Sequence, residues 1–179
     1  MENRQRQLLE LLDTSGATLY ALLTRLTLRE DVAEELMQDL FVKLSSTGGL
    51  DKIRNWGAYA HRAAINLAFD WQRRQKRAVL SLEHVGEPAS SDGSPLLRLI
   101  HAEELQETLD AIGQLRKAPR QALVMRYIQQ ESYECIAEQL GKTPHQVRAL
   151  CSKALDNLRR ILGKNGSPSC RKEPHDVEN

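Results

Sequence analysis

Aromatic residues make up only 4% of this 179-residue chain, and Leu, Ala, Glu, Gln and Arg dominate, a mixture that favours helices over sheets. An all-α protein is expected. Long hydrophobic runs are missing too: none approaches the roughly 18 residues of a membrane span. The opening Met1-Glu2-Asn3-Arg4-Gln5-Arg6 lacks the apolar stretch of a signal peptide. The expectation is a cytoplasmic chain without membrane insertion. The cysteines, Cys135, Cys151 and Cys170, are odd in number and lack metal-ligand spacing, and two fall in helical segments, so reduced, largely structural thiols and no metal are expected. There is no HExxH, no phosphate-cradling glycine loop and no nucleophile with an identifiable base partner, which argues against an enzyme, a catalytic residue or a cofactor. His101, in HAEEL, reads as a polar position near a helix start.

A strong overall charge is also absent, since the net value is +1. The total hides an uneven distribution, and binding responds to where charges lie. Residues 71 to 77 (WQRRQKR) hold four basic and no acidic residues, whereas 78 to 110 hold seven acidic residues against Arg98 alone. Basic and acidic blocks therefore alternate.

Helical spacing of apolar residues recurs over roughly 3 to 12, 15 to 27, 31 to 45 and 55 to 77, with Gly48 and Gly49 interrupting the last two segments. From 78 to 98 the pattern dissolves into SLEHVGEPASSDGSP, too polar to repay its ordering entropy, and reads as an acidic flexible linker. Periodicity returns at about 99 to 113, 119 to 129, 132 to 140 and 144 to 162, and residues 163 to 179 read as a disordered tail. Two small helical domains, 1 to 77 and 99 to 162, are thus expected on either side of a linker.

The second domain carries a helix-turn-helix. Ser132 suits the N-cap of a short helix, SYECIAEQL, and Gly141 suits the left-handed residue that ends it. Thr143 caps the next helix, with Pro144 at its first position. Val147, Leu150, Cys151, Ala154, Leu155, Leu158 and Ile161 form its inward stripe, and Ala137 is small enough for a close helix crossing. The opposite face carries His145, Ala149 and Ser152, flanked by Gln146, Arg148 and Lys153, a small and basic set suited to a major groove. Asp156 repels phosphates further along, so only the N-terminal half is expected to approach bases.

In the long helix before the linker, Trp56, Ala60, Ala63, Ala64, Leu67 and Trp71 share a core face. Arg62, Asn66, Asp70, Arg73 and Arg77 align on another. Arginines there suit phosphates, Asn66 suits a base edge, and Asp70 is spaced to orient Arg73 or Arg74. A second nucleic-acid surface is expected. In DVAEELMQDLFVKL, Ala33, Leu36, Met37, Leu40 and Leu44 point inward and leave Glu35, Gln38, Asp39 and Val42 together outside. That acidic face is unfit for DNA and suits either solvent or a protein partner offering arginines.

Together these segments resemble the sigma-70 family of bacterial RNA polymerase specificity subunits, in its small extracytoplasmic-function form. AEELMQDLFVKL (33 to 44) looks like the family's core-binding helix, AYAHRAAINLAFDWQRR (58 to 74) like its minus-ten helix, and 115 to 158 like its region four. The resemblance implies that Glu35, Gln38 and Asp39 dock on core polymerase. It also implies that Arg62, Asn66, Arg73, Arg74 and Arg77 capture melted minus-ten DNA. Thr143, His145, Gln146, Arg148, Ala149, Ser152 and Lys153 would meet the minus-thirty-five duplex. It further implies core RNA polymerase and promoter DNA as partners, an anti-sigma factor as another, and a linker threading the polymerase channels. Tyr59 stands where the family often has Trp, and Ala149-Leu150 replaces a common Ser-Arg pair, so promoter sequence does not transfer from relatives. The rival readings are a conventional duplex-binding repressor or activator whose N-terminal helices dimerise, and an adaptor that binds no nucleic acid. The first needs a second apolar seam on the long helix, where Ile65 and Phe69 offer only a short one. The basic recognition helix disfavours the second.

Overall fold

The computed structural model describes residues 2–46, 55–81 and 95–165, and all regular structure in them is helical, as expected. The elements are α1 (Glu2–Thr27), α2 (Glu30–Ser46), α3 (Trp56–Ser81), α4 (Pro95–Gly113), α5 (Lys117–Leu123), α6 (Tyr133–Leu140) and α7 (Pro144–Asn165). A single π-helical turn, Val124–Ile128, continues α5. Among the described residues no helix is long and apolar enough to cross a membrane.

Several boundaries differ from those expected, each for a local reason. The segments 3 to 12 and 15 to 27 are one helix, α1. Thr14 does not cap a break there, because its hydroxyl donates to the Glu10 carbonyl at 2.6 Å and is satisfied within the helix. Gly16 costs a helix interior about 1 kcal/mol relative to Ala, against which stand the buried Leu11, Leu19, Leu22, Leu23 and Leu26 of the same helix. The linker expected over 78 to 98 is helical at both ends: α3 runs on to Ser81, and α4 starts at Pro95, a residue suited to a first helical position. Its centre lies outside the described residues, as do Gly48, Gly49 and the segment beyond 165, including Cys170. The tail expected from 163 begins no earlier than the end of α7 at Asn165.

Helices α1, α2 and α3 pack as a bundle through Leu19, Leu22, Leu23 and Leu26, Val32, Ala33, Leu36, Leu40 and Leu44, and Ala60, Ala63 and Ala64. The C-terminal helices gather around Leu109, Ile112, Val124, Met125, Ile136, Val147, Cys151, Ala154 and Leu158. Met37, Leu150, Leu155 and Ile161, placed inward by their spacing, are half-buried.

These two groups form one continuous buried cluster. The link is a second buried face of α3: Ile65, Ala68 and Phe69 are each fully buried. The short seam of Ile65 and Phe69 is buried within this chain's own core, against its C-terminal half. Gly113, at the end of α4, lies against this ring, where an added Cβ would sit 3.4 Å from Phe69 Cδ1, in ordinary contact. Across the same contact Lys76 pairs with Asp110 at 2.8 Å, and Arg25 Nη1 donates to the Ile128 carbonyl at 3.1 Å.

Candidate nucleic-acid interface

The helix-turn-helix is built by consecutive local caps. Ser132 Oγ accepts the Cys135 N–H at 3.1 Å and starts α6. Gly141, at φ 62° and ψ 43°, ends it in the left-handed region, with the Lys142 N–H returning to the Ala137 carbonyl at 2.9 Å. Two residues later Thr143 Oγ1 accepts the Gln146 N–H at 3.2 Å while Gln146 Oε1 accepts the Thr143 N–H at 3.1 Å. This reciprocal capping box satisfies two otherwise orphaned donors. It also gives Gln146 a structural task, one legible as Thr143-Pro144-His145-Gln146 yet assigned above only to DNA.

Thr143, His145, Gln146, Arg148, Ala149, Ser152 and Lys153 are all exposed at the start of α7. Arg148 is not idle. Its guanidinium lies 3.5 Å from Glu134 and 5.0 Å over the Tyr133 ring, which also receives Arg126 at 4.6 Å. Cation–π stacking of this kind holds a guanidinium in one orientation. Further along, Asp156 pairs with Arg159 at 3.1 Å, so its charge is partly answered within the helix. Cys151 is buried, and burial pushes its thiol up from the ordinary range. Cys135, expected as a structural thiol, is exposed: α6 is a short helix whose inner face is spent on Ile136 and Ala137.

The row on α3 divides into two environments. Asp70, Arg73, Arg74 and Arg77 are exposed, and Asp70 pairs with Arg73 rather than Arg74. Asn66 and Arg62, one and two turns before Asp70, are half-buried. Asn66 Oδ1 accepts from Arg120 Nη2 and from Gln121 Nε2, both at 3.4 Å. Residues of the C-terminal half therefore occupy the group assigned to a base edge. Arg62 and Asn66, with Lys43, Tyr59, Lys117 and Gln121, line a cleft of about 260 Å³ between the halves.

Arg120 was not singled out by its sequence context. It is 3% exposed, lies 5.0 Å over the Phe69 ring and donates to the Gly113 carbonyl at 3.3 Å. Its Nε has no partner, and among the described residues no carboxylate lies within ion-pair distance. Burial, reinforced by the Arg73 charge, pulls its pKa below the ordinary guanidinium value. His61 is a second unexpected participant. Its Nδ1 meets the Gln129 side-chain amide at 2.8 Å, and burial lowers its pKa against the opposing pull of Glu131. Polar residues deep inside a contact carry no periodicity of their own, which is why spacing does not reveal them.

Glu35, Gln38 and Asp39 are exposed on α2, beside Val42 at 65% exposure. Among the described residues no group of three or more His, Cys, Asp or Glu side chains is placed to hold a metal ion.

The chain is similar to known proteins across both halves. The family described as Sigma-70 region 2 matches residues 11–78, and Sigma-70, region 4 matches residues 105–158. RNA polymerase sigma factor YlaC of Bacillus subtilis (strain 168) is 30% identical over 153 residues, spanning 80% of this chain and 84% of its own. RNA polymerase sigma factor CarQ of Myxococcus xanthus is 29% identical over 148 residues, spanning 79% and 81%. Among solved structures, the sigma factor RpoE of Bartonella quintana, in complex with the anti-sigma factor NepR, is 22% identical and aligns with a TM-score of 0.47 over 91% of this chain and 98% of that one.

Proposed function

Because the chain belongs to the sigma-70 family of RNA polymerase sigma factors, in its extracytoplasmic-function form, we propose a division of its labour among three faces. As a sigma factor it binds core polymerase and promoter DNA and directs promoter-specific initiation. Membership through both regions removes the reading as a duplex-only repressor. In this proposal Glu35, Gln38 and Asp39 form the polymerase-docking face, with exposed Val42 as its apolar centre. Thr143, His145, Gln146, Arg148, Ala149, Ser152 and Lys153 meet the minus-thirty-five duplex, Gln146 fixing the helix start as it does so. Arg62, Asn66, Arg73, Arg74 and Arg77 hold the melted minus-ten strand, the arginines through phosphates and Asn66 through a base. The chain acts in the cytoplasm and catalyses no reaction itself.

The observation that carries this reading is the doubly capped start of α7 with its outer face exposed, a basic helix end of the kind that enters a major groove. The test is run-off transcription with core polymerase on genomic fragments, alongside pull-down of core enzyme. Wild type is expected to give promoter-dependent transcripts. Reversing Glu35 and Asp39 to Lys is expected to weaken core binding by at least about tenfold, since like charges at an interface cost several kcal/mol, while duplex binding stays unchanged. Equal loss of both activities would contradict the division.

A further inference from the structure

Two guanidiniums share one aromatic ring beside the start of α7. Tyr133 opens α6, where the Ser132 cap fixes the first turn, and its ring carries Arg126 at 4.6 Å and Arg148 at 5.0 Å. The three residues come from three elements: Arg126 from the π-helical turn, Tyr133 from α6 and Arg148 from α7. Arg126 is itself tied down, its Nη1 donating to the Glu131 carbonyl at 2.7 Å. Arg148 follows the fully buried Val147, which sets the rotation of α7, yet its own side chain is exposed. Resting on the assignment of Arg148 to the minus-thirty-five duplex, we propose that Tyr133 is a positioning residue for promoter choice. With Arg126 bracing the same ring, it holds the Arg148 guanidinium as a plane whose N–H edge reads a guanine, so a residue outside α7 sets a base preference expressed by α7.

Arg148 has two tethers, and they constrain it differently. Its ion pair with Glu134 spans 3.5 Å between side chains that are 55% and 65% exposed. That is longer than the roughly 2.7–2.9 Å of a charge-assisted hydrogen bond, and an exposed pair of this kind does little to confine a long side chain. The ring confines it more strictly, because a guanidinium is planar and stacks on an aromatic face, whereas a carboxylate at that distance fixes only a separation. Tyr133 packs against the core and is only half-buried, which leaves ring surface for both arginines. Arg126 repels Arg148, so its place at the ring is secured by the Glu131 carbonyl and not by its neighbour. Planarity is also what guanine demands: O6 and N7 are read together by two N–H donors in one plane. A guanidinium already held in its bound orientation loses less freedom on making that contact. A phosphate accepts a cation from many directions and gains less from the constraint.

Holoenzyme reconstituted from core polymerase and the full chain is assayed on a promoter found active in run-off transcription, with its minus-thirty-five base pairs substituted one at a time. The readout is the ratio of transcription from the original sequence to that from each substituted one, which a general loss of folding or of polymerase binding leaves unmoved. Arg148→Ala is expected to lower that ratio at one or two base pairs by about five- to 150-fold, the span of a bidentate base contact. Arg148→Lys, which keeps the charge and loses the plane, is expected to lower it at the same positions. Tyr133→Leu is expected to lower it there by about two- to fivefold, the worth of an exposed cation–π contact, and to add nothing once Arg148→Ala is present. Tyr133→Phe keeps the ring and should keep the ratio, as should Glu134→Gln. If Tyr133→Leu misfolds by circular dichroism, Arg126→Met decides in its place, a smaller loss at the same base pairs supporting the stack and an unmoved ratio overturning it. A loss in Tyr133→Leu that is equal on all sequences, or a change in Glu134→Gln as large as that in Tyr133→Leu, overturns the positioning role and leaves the assignment of Arg148 standing. A ratio unmoved by Arg148→Ala sinks both.

Discussion

The two regions proposed to face DNA are prepared in opposite ways. The start of α7 is presented: all seven of its assigned residues are exposed, and hydrogen bonds confined to residues 132–146 fix the helix that carries them. The upper part of α3 is covered, with Asn66 held by groups more than 50 residues away. Presentation by local bonds makes a surface that needs nothing else to exist. Coverage by distant ones makes a surface whose availability is conditional. The face proposed to meet the duplex is thus open in the free chain, whereas the face proposed to hold the strand is in contact with the C-terminal half.

Three further measurements test that contrast, beginning with the largest effect. Phe69→Ala removes the fully buried ring at the centre of the seam and is expected to cost about 3 to 5 kcal/mol in denaturant unfolding, the usual range for a buried Phe. A loss under about 1 kcal/mol would mean that the halves fold independently and that the seam is decoration. Gly141→Val forces a β-branched residue to φ 62° and is expected to cost about 1 to 2 kcal/mol. The damage should weaken duplex binding and leave core-polymerase binding intact; loss of both would show that the presented region is less self-contained than its caps suggest. The smallest effect is on pH. Burial depresses the pKa of His61 in the folded chain below its unfolded value near 6.5, so the folded form disfavours the added proton. Stability is therefore present above about pH 6.5 and falls as the pH drops through that value. Thermal unfolding at pH 7.5 and 5.5 should show the decline, and His61→Asn should flatten it.

How much of this could be read from the sequence follows the same division. Ser132, Gly141, Thr143 and Pro144 declare the helix-turn-helix because each cap is decided by a residue and its neighbours three or four positions away. The inner stripe of α7 shows itself through period alone, with Val147, Cys151, Ala154 and Leu158 buried where spacing places them. What covers the short seam is not legible locally, because Phe69 meets Gly113 and Arg120, which lie tens of residues downstream. The same holds for His61 and Gln129. The union of 3 to 12 and 15 to 27 into α1 was missed for a different reason: Thr14, Ser15 and Gly16 together resemble a break, and tertiary packing overrode a propensity that is weak by nature.

One residue of surplus governs where the presented region points. In the π-helical turn Val124–Ile128 the Gln129 N–H reaches back five positions to the Val124 carbonyl, at 3.1 Å, so the helix holds one residue more than its length requires. An ordinary α-helix over the same stretch would rotate everything beyond it by about 100°, swinging Gln129 off His61 and turning the whole α6–α7 pair with it. The orientation of the α6–α7 pair is in this sense a matter of phase, set by a single π-helical turn outside the residues proposed to face DNA.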